Sequence, residues 1–372
     1  MHVPSRAGML SLLHRVQQNL APVELIYVPH DAWPLHKDEQ TAGRSPRPVR
    51  ISVLDSSFNP PTLAHLALAN SPRPKRSFTD ERDGATSDDL GLDYDAKLLL
   101  LSVRNADKVL KQRDASLVQR LEMMVLLAKD IVCPPSGPPD VDRSAESNVA
   151  VAIIDEPTFV GKSTKLLTFL RNRLAGMSER AGSSAMYEPK LTFLLGFDTL
   201  ERLLSPRYYA AADAPAGSDS MEIMMVSLRR FLSPAPLGDD SAIVCARRTM
   251  AGTYSFNDKS LRSLASSGIH NPQNEDASTS PSSSSTALDL TAEERKTLNT
   301  AREFVDSQRI QLIEIGDAER TFSSSAVREM KRVTSRTIDF TAPSVTSGGE
   351  WRRLVPDRIA EYMVQEGLYQ DS

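Results

Sequence analysis

The chain has 372 residues, 40% of them hydrophobic and 25% charged, with a formal net charge of -4. This is a globular balance, long enough for one large domain or two ordinary ones. It excludes a global positive field that would draw nucleic acid or an acidic membrane, so any anion site must be local. The two cysteines, Cys133 and Cys245, exclude a disulfide framework. They read as buried free thiols in a reducing compartment, the cytoplasm or nucleus ahead of the mitochondrion. No apolar run approaches the ~20 residues of a membrane span.

Met1 to Val23 carries Arg6 and Arg15, no acid, and an apolar stripe at Met9, Leu12 and Leu13. An organelle presequence and an amphipathic helix of the domain both fit. The strand-like Val23–Val28 directly after it favours the helix. Residues 1–50 are therefore expected to form a helix and a strand packing on a main domain over 51–372. Further short apolar runs follow at 51–54, 98–101, 149–154, 191–195, 242–245 and 310–315. Most are continuous rather than alternating, which suits strands covered on both faces. Helical spacing lies between them over 115–130, 163–174 and 221–232. The alternation predicts an open α/β domain, a doubly wound, mostly parallel sheet with helices on both faces.

Segments near 71–94, 134–147, 176–188, 210–220 and 257–293 are charged, small or Ser/Pro-rich. They read as loops or disordered insertions in one domain, because little apolar surface offsets their ordering. Toward the end, Pro356 is expected at the first helical position. Ile359, Ala360, Met363 and Val364 form the apolar stripe, and Gly367 the left-handed cap.

Two stretches carry chemistry. After the strand at 51–54, Asp55-Ser56-Ser57-Phe58-Asn59-Pro60-Pro61 leads into a helix over 62–70. A strand–loop–helix start points backbone N–H groups at a phosphate. Thr62 and His65, three apart, share a face of the first turn. The second stretch follows the strand at 310–315. Thr321-Phe322-Ser323-Ser324-Ser325-Ala326-Val327-Arg328 puts hydroxyls and a guanidinium over one helical turn, a pattern that binds phosphate oxygens. Either alone also fits a capped surface helix. Gly161-Lys162-Ser163-Thr164 resembles the end of a P-loop, but Glu156 stands where the first glycine must be, so the wrap around a phosphate is absent. Lys162 could still serve a phosphate locally. None of the histidines (His2, His14, His30, His36, His65, His270) has ligand spacing with a cysteine or carboxylate. Magnesium is therefore expected to arrive on a nucleotide, held by phosphates and water.

The string Ser57 to His65 is similar to the first signature of the HxGH nucleotidyltransferase superfamily. Within it, the match is to the nicotinamide mononucleotide adenylyltransferase family, in a divergent, fungal-type form. Eukaryotic members of that family also place threonine at the first histidine position. Ala64 stands where the general motif has glycine, and Ser56 or Ser57 where glycine often precedes the phenylalanine. The Ser323–Arg328 turn resembles the family's Ser-Ser-Thr-x-x-Arg motif, with Ser325 for threonine.

The resemblance implies a Rossmann-like fold and joining of a mononucleotide phosphate to the AMP part of ATP, with release of pyrophosphate. It implies catalytic roles for Thr62, His65 and Arg328. ATP would be bound by Ser57, Phe58, Asn59, Gly196, Asp198, Ser323, Ser324 and Ser325. Asp198 reads equally as a helix cap. On the acceptor side the resemblance points to Lys108, Lys111 or Arg104, and to Phe159 as the stacking ring. Family members usually stack nicotinamide on tryptophan, whereas the tryptophans here are Trp33 and Trp351. Residues 354–369 resemble the family's closing helix, a structural match. The partners implied are ATP and a mononucleotide, with no nucleic acid and no membrane; the oligomeric state is not assigned. Three other readings stay open: a nucleotide-binding or ATP-hydrolysing regulatory protein of the same fold, nicotinate mononucleotide as acceptor, or another phosphorylated acceptor such as phosphopantetheine.

Overall fold

The computed structural model describes residues 3–36, 48–74, 93–104, 114–132, 148–182, 186–209, 219–247, 291–336 and 349–370. The strands are β1 (Val23–Tyr27), β2 (Pro48–Asp55), β3 (Ala96–Ser102), β4 (Val149–Ile154), β5 (Glu188–Gly196), β6 (Ala242–Ala246) and β7 (Ile310–Ile313). The helices are α1 (Arg6–Gln17), α2 (Leu63–Asn70), α3 (Leu117–Asp130), α4 (Phe159–Arg180), α5 (Phe197–Leu203), α6 (Ser220–Leu232), α7 (Ala292–Thr300), α8 (Arg302–Asp306), α9 (Ser324–Arg336) and α10 (Asp357–Gln365).

The strands form one seven-stranded sheet in the order β1-β4-β3-β2-β5-β6-β7. All pairs are parallel except β1 with β4. The continuous apolar strands are covered on both faces, as their composition requires. Along β4, Val149, Val151 and Ile153 enter one core while Ala150, Ala152 and Ile154 enter the other. The first core is completed by α1, α2, α3, α9 and α10, the second by α4, α5, α6, α7 and α8. Helix α1 packs through Met9, Leu13 and Val16, so it is an integral part of the first core. Among the described residues no helix is long and apolar enough to cross a membrane.

The strand order turns back between β2 and β5, the position where open α/β sheets form a ligand crevice beyond their strand ends. Lys97, buried in β3, steadies the helices beside it. Its Nζ donates to the carbonyls of Ala69 at 2.9 Å and Val132 at 3.0 Å, at the ends of α2 and α3. Such carbonyls lack helical partners and gain from a cation.

Several boundaries differ from expectation. Helix α4 starts at Phe159 and continues to Arg180, through both Gly161 and the start of the segment read as a loop over 176–188. Thr158 caps it by accepting from Gly161 N at 3.1 Å, and seven buried residues along it outweigh the low propensity of Gly161 and Gly176. Strand β2 begins at Pro48, across the expected division at residue 50. Asp93 and Tyr94 close the 71–94 segment, and Tyr94 is buried. Helix α7 takes up the end of the 257–293 segment, capped by Thr291 and Glu294. Pro356 is the cap of α10 rather than its first residue, its carbonyl accepting from Ile359 and Ala360. Cys245 is buried in β6, and burial raises its thiol. Cys133 and the bulk of the expected insertions lie outside the described residues.

Lys331 of α9 is also buried, donating to the carbonyls of Met363 and Leu368. Burial, helped by Arg352, pushes its ammonium down to about 8 from 10.5. Between those values the unfolded chain holds the extra proton, so Lys331 makes stability rise with pH. Urea unfolding is expected to show the wild type gaining on Lys331→Met by on the order of 1 kcal/mol from pH 8 to pH 10. Parallel stability curves for the two proteins would contradict this.

Candidate active site

Strand β2 ends at Asp55, and the following loop turns sharply into α2. Phe58 adopts φ 45° with its ring fully buried, and the Asn59–Pro60 bond is cis. Left-handed backbone at a bulky residue is costly and persists where packing over-determines it. Thr62 caps α2. Its N–H donates to His65 Nδ1 at 3.0 Å, with the Thr62 hydroxyl 2.8 Å from the same nitrogen. An Nδ1 that accepts from a backbone N–H leaves the ring proton on Nε2. Nε2 then donates to Ser56 Oγ at 2.9 Å. The Phe58 ring lies 5.4 Å from the imidazole, centroid to centroid. The imidazole is thus fixed in one tautomer with its N–H directed across the loop.

The second serine-rich stretch docks on this loop. Ser323 caps α9, accepting from Ala326 N at 3.2 Å. Ser324 Oγ donates to the Pro60 carbonyl at 2.7 Å. Arg328 donates to the Asn59 carbonyl through Nη1 and to Ser325 Oγ at 3.2 Å through Nη2. Its Nε lies 3.7 Å from Asp114, and Asp114 also lies 3.9 Å from Arg120 Nη2. Arg120, 6% exposed, donates to the Ala115 carbonyl at 2.9 Å and reaches the Ser57 carbonyl at 3.5 Å. Burial and then Arg328 lower the Arg120 guanidinium, against the pull of Tyr369 and Asp114. Two guanidinium groups therefore flank one short loop with a single shared carboxylate.

The expected nucleotide residues divide by what their side chains do. Ser57, Thr62, His65 and the three serines sit at the two helix starts, and Ser325 is exposed. Phe58 and Asn59 are turned inward: Phe58 is core, and Asn59 Oδ1 accepts from Tyr369 Oη at 2.7 Å and Ala115 N at 3.3 Å. The Phe58 ring and Asn59 Oδ1 therefore serve the core and the loop. Gly196 ends β5 and caps α5, exposed at the crevice, so Asp198 lies in the first helical turn and is not the cap. Asp198 is close enough to Cys245 to help raise its thiol, which places it beside the end of β6.

At the other side of the crevice, Arg104 pairs with Asp155 at the ends of β3 and β4, and this pairing raises the guanidinium. Burial pushes Glu156 up, but hydrogen bonds from Thr158 and Lys165 prevail and hold it below the usual carboxylate range. Phe159 sets its ring edge-on to buried Phe193 at 5.7 Å, with Lys162 Nζ 4.9 Å from its centroid. The ring is half-buried rather than free-standing. Lys108 and Lys111 lie outside the described residues. The P-loop-like segment is helical, and Lys162 is spent in a buried ion pair with Asp55. Ser163 bonds Ser241 at 2.9 Å, also inside the protein.

Sequence reasoning gave no role at the site to Asp114, Arg120, Asp55 or Tyr369. The pairing of Arg120 with Asp114 had a weak signal: an arginine inside the apolar period of α3, where a buried charge demands a partner.

A doubly wound sheet with two hydroxyl-bearing helix starts docked on one loop at its switch point defines an α/β protein of Rossmann-like architecture. By sequence, the chain is related to the nicotinamide mononucleotide adenylyltransferase family. It is 32% identical over 159 residues to the Schizosaccharomyces pombe protein described as "Putative nicotinamide mononucleotide adenylyltransferase". The matched span is 43% of this chain and 44% of that relative, so less than half of the relative's length is covered. No family model matches. Two solved structures of Plasmodium falciparum nicotinic acid mononucleotide adenylyltransferase, one complexed with APC and one with NaAD, align over 86% of this chain. The first covers 96% of its own chain at 10% identity with a TM-score of 0.35. The second covers 97% at 11% identity with a TM-score of 0.34. At those TM-scores neither superposition bears on the function.

Proposed function

We propose that the protein is an adenylyltransferase. It joins the phosphate of nicotinamide or nicotinate mononucleotide to the AMP moiety of ATP, forming the dinucleotide and releasing pyrophosphate. The observation that carries this reading is the docking of the two helix starts on one loop, through Ser324 to Pro60 and Arg328 to Asn59.

The attacking acceptor phosphate is already anionic, so the reaction needs alignment and charge neutralisation rather than a covalent intermediate. The N–H of His65 Nε2, held now by Ser56, is the donor for an α-phosphate oxygen as charge shifts to the leaving group. Thr62 keeps that proton on Nε2. Ser323, Ser324, Ser325 and Arg328 take the β,γ end, with Gly196 and Asp198 at the ribose. Magnesium would accompany the nucleotide as its counter-ion and neutralise phosphate charge. The nearby carboxylates are committed elsewhere, Asp55 to Lys162 and Asp114 to Arg328 and Arg120.

The test is pyrophosphate release from ATP against a panel of phosphorylated acceptors, with nicotinamide and nicotinate mononucleotides and phosphopantetheine included. At least tenfold release above the no-acceptor rate is expected with a pyridine mononucleotide. Release with phosphopantetheine alone would move the activity to another acceptor. ATP turnover without acceptor dependence would favour a hydrolytic or regulatory role.

A further inference from the structure

The segment after α10 has no role in the chemistry above, yet it reaches the phosphate loop. Helix α10 ends in a Schellman-type turn: Gly367 at φ 60° donates to the Val364 carbonyl at 3.2 Å, and Leu368 N to the Met363 carbonyl at 3.0 Å. Tyr369 then adopts φ 58°, a conformation unfavourable for a side chain of its size. The cost is offset by what that turn delivers. The ring is buried at 4% exposure, and the hydroxyl donates to Asn59 Oδ1 at 2.7 Å.

Asn59 is the residue whose carbonyl receives Arg328. One turn along α9 from Arg328, Lys331 donates to the carbonyls of Met363 and Leu368. Helix α9 therefore holds the segment that holds Asn59, and Asn59 holds the guanidinium of α9. The circuit closes on itself through side chains.

We infer that Tyr369 is a positioning residue of the phosphate site, acting through Asn59 to fix the orientation of the Arg328 guanidinium. The inference rests on the adenylyl-transfer reading for its kinetic consequence, though not for its geometry. Without the hydroxyl, Asn59 Oδ1 loses its shorter bond and keeps the longer one from Ala115 N at 3.3 Å, so the loop carbonyl that orients Arg328 is less firmly anchored. Tyr369→Phe preserves the ring and its packing, so the fold is retained.

The experiment is a double-mutant cycle with Tyr369→Phe and Arg328→Lys, read in kcat, in acceptor KM and in melting temperature. Tyr369→Phe is expected to lower kcat about tenfold, the scale of one lost orienting interaction, while acceptor KM stays within about twofold. Added to Arg328→Lys, it is expected to cost less than about twofold more, because lysine lacks the fork that Asn59 orients. Losses that multiply in the double variant, or an unchanged kcat in Tyr369→Phe, would overturn the inference. If the wild type shows no acceptor-dependent release, the transferase reading fails separately. The same cycle is then read in ATP affinity by calorimetry: non-additive losses uphold the role of Tyr369, and additive losses or an absence of ATP binding overturn it.

Discussion

His65→Ala is expected to lower kcat by about a hundredfold or more, the loss that follows removal of one preorganised transition-state donor. The imidazole sits between Thr62 and Ser56, so its orientation is set before any ligand binds. Preorganisation is what makes such a donor effective, because no reorientation is needed as charge develops. The KM for ATP should change much less than kcat, since the interaction strengthens mainly in the transition state. Steady-state pyrophosphate release and thermal unfolding of the same preparation provide the check. Unchanged turnover in a folded variant would remove His65 from the reaction.

Arg328→Ala is expected to reduce kcat/KM for ATP by two to three orders of magnitude, roughly 3–4 kcal/mol of transition-state stabilisation. The guanidinium spans Asn59, Ser325 and Asp114 at once, so its removal takes away the tie between α9 and the loop and, on the proposed reading, a phosphate ligand as well. Arg328→Lys should recover only part of the activity, because an ammonium cannot serve those divergent partners from one plane. Full activity in the lysine variant would show that charge alone suffices. A loss in the alanine variant that matches its unfolded fraction would make Arg328 structural.

Much of the sheet was legible in the sequence, since β3, β4 and β5 are continuous apolar runs that only two-sided burial explains. The antiparallel placement of β1 was not, because strand direction depends on a connection that pattern does not encode. Helix α4 extends beyond the periodic stretch 163–174: Gly161 and Lys162 look like loop residues, and only the ion pair to Asp55 shows why Lys162 is buried. The two phosphate-type stretches were legible as local patterns, each a helix start. Their junction was not. Arg328 meets Asn59 across 269 residues and Tyr369 meets it across 310, and such separations leave no periodicity to read. The segment ending at Tyr369 resembles a closing helix of structural character, and the hydrogen bond to Asn59 gives it a path to the site.

The loop between β2 and α2 is gripped mostly by its carbonyls: Ser57 by Arg120, Asn59 by Arg328 and Pro60 by Ser324. A carbonyl is common to all amino acids, so these holds do not depend on which side chains the loop carries. A substitution at Ser57 therefore leaves these three holds in place, provided the gripping residues persist, whereas Phe58 and Asn59 also hold the loop through their side chains. The hold on the carbonyl of residue 57 is the same whether that position is serine or glycine. A search for distant relatives should therefore weigh Arg120, Ser324 and Arg328 alongside the loop residues they hold.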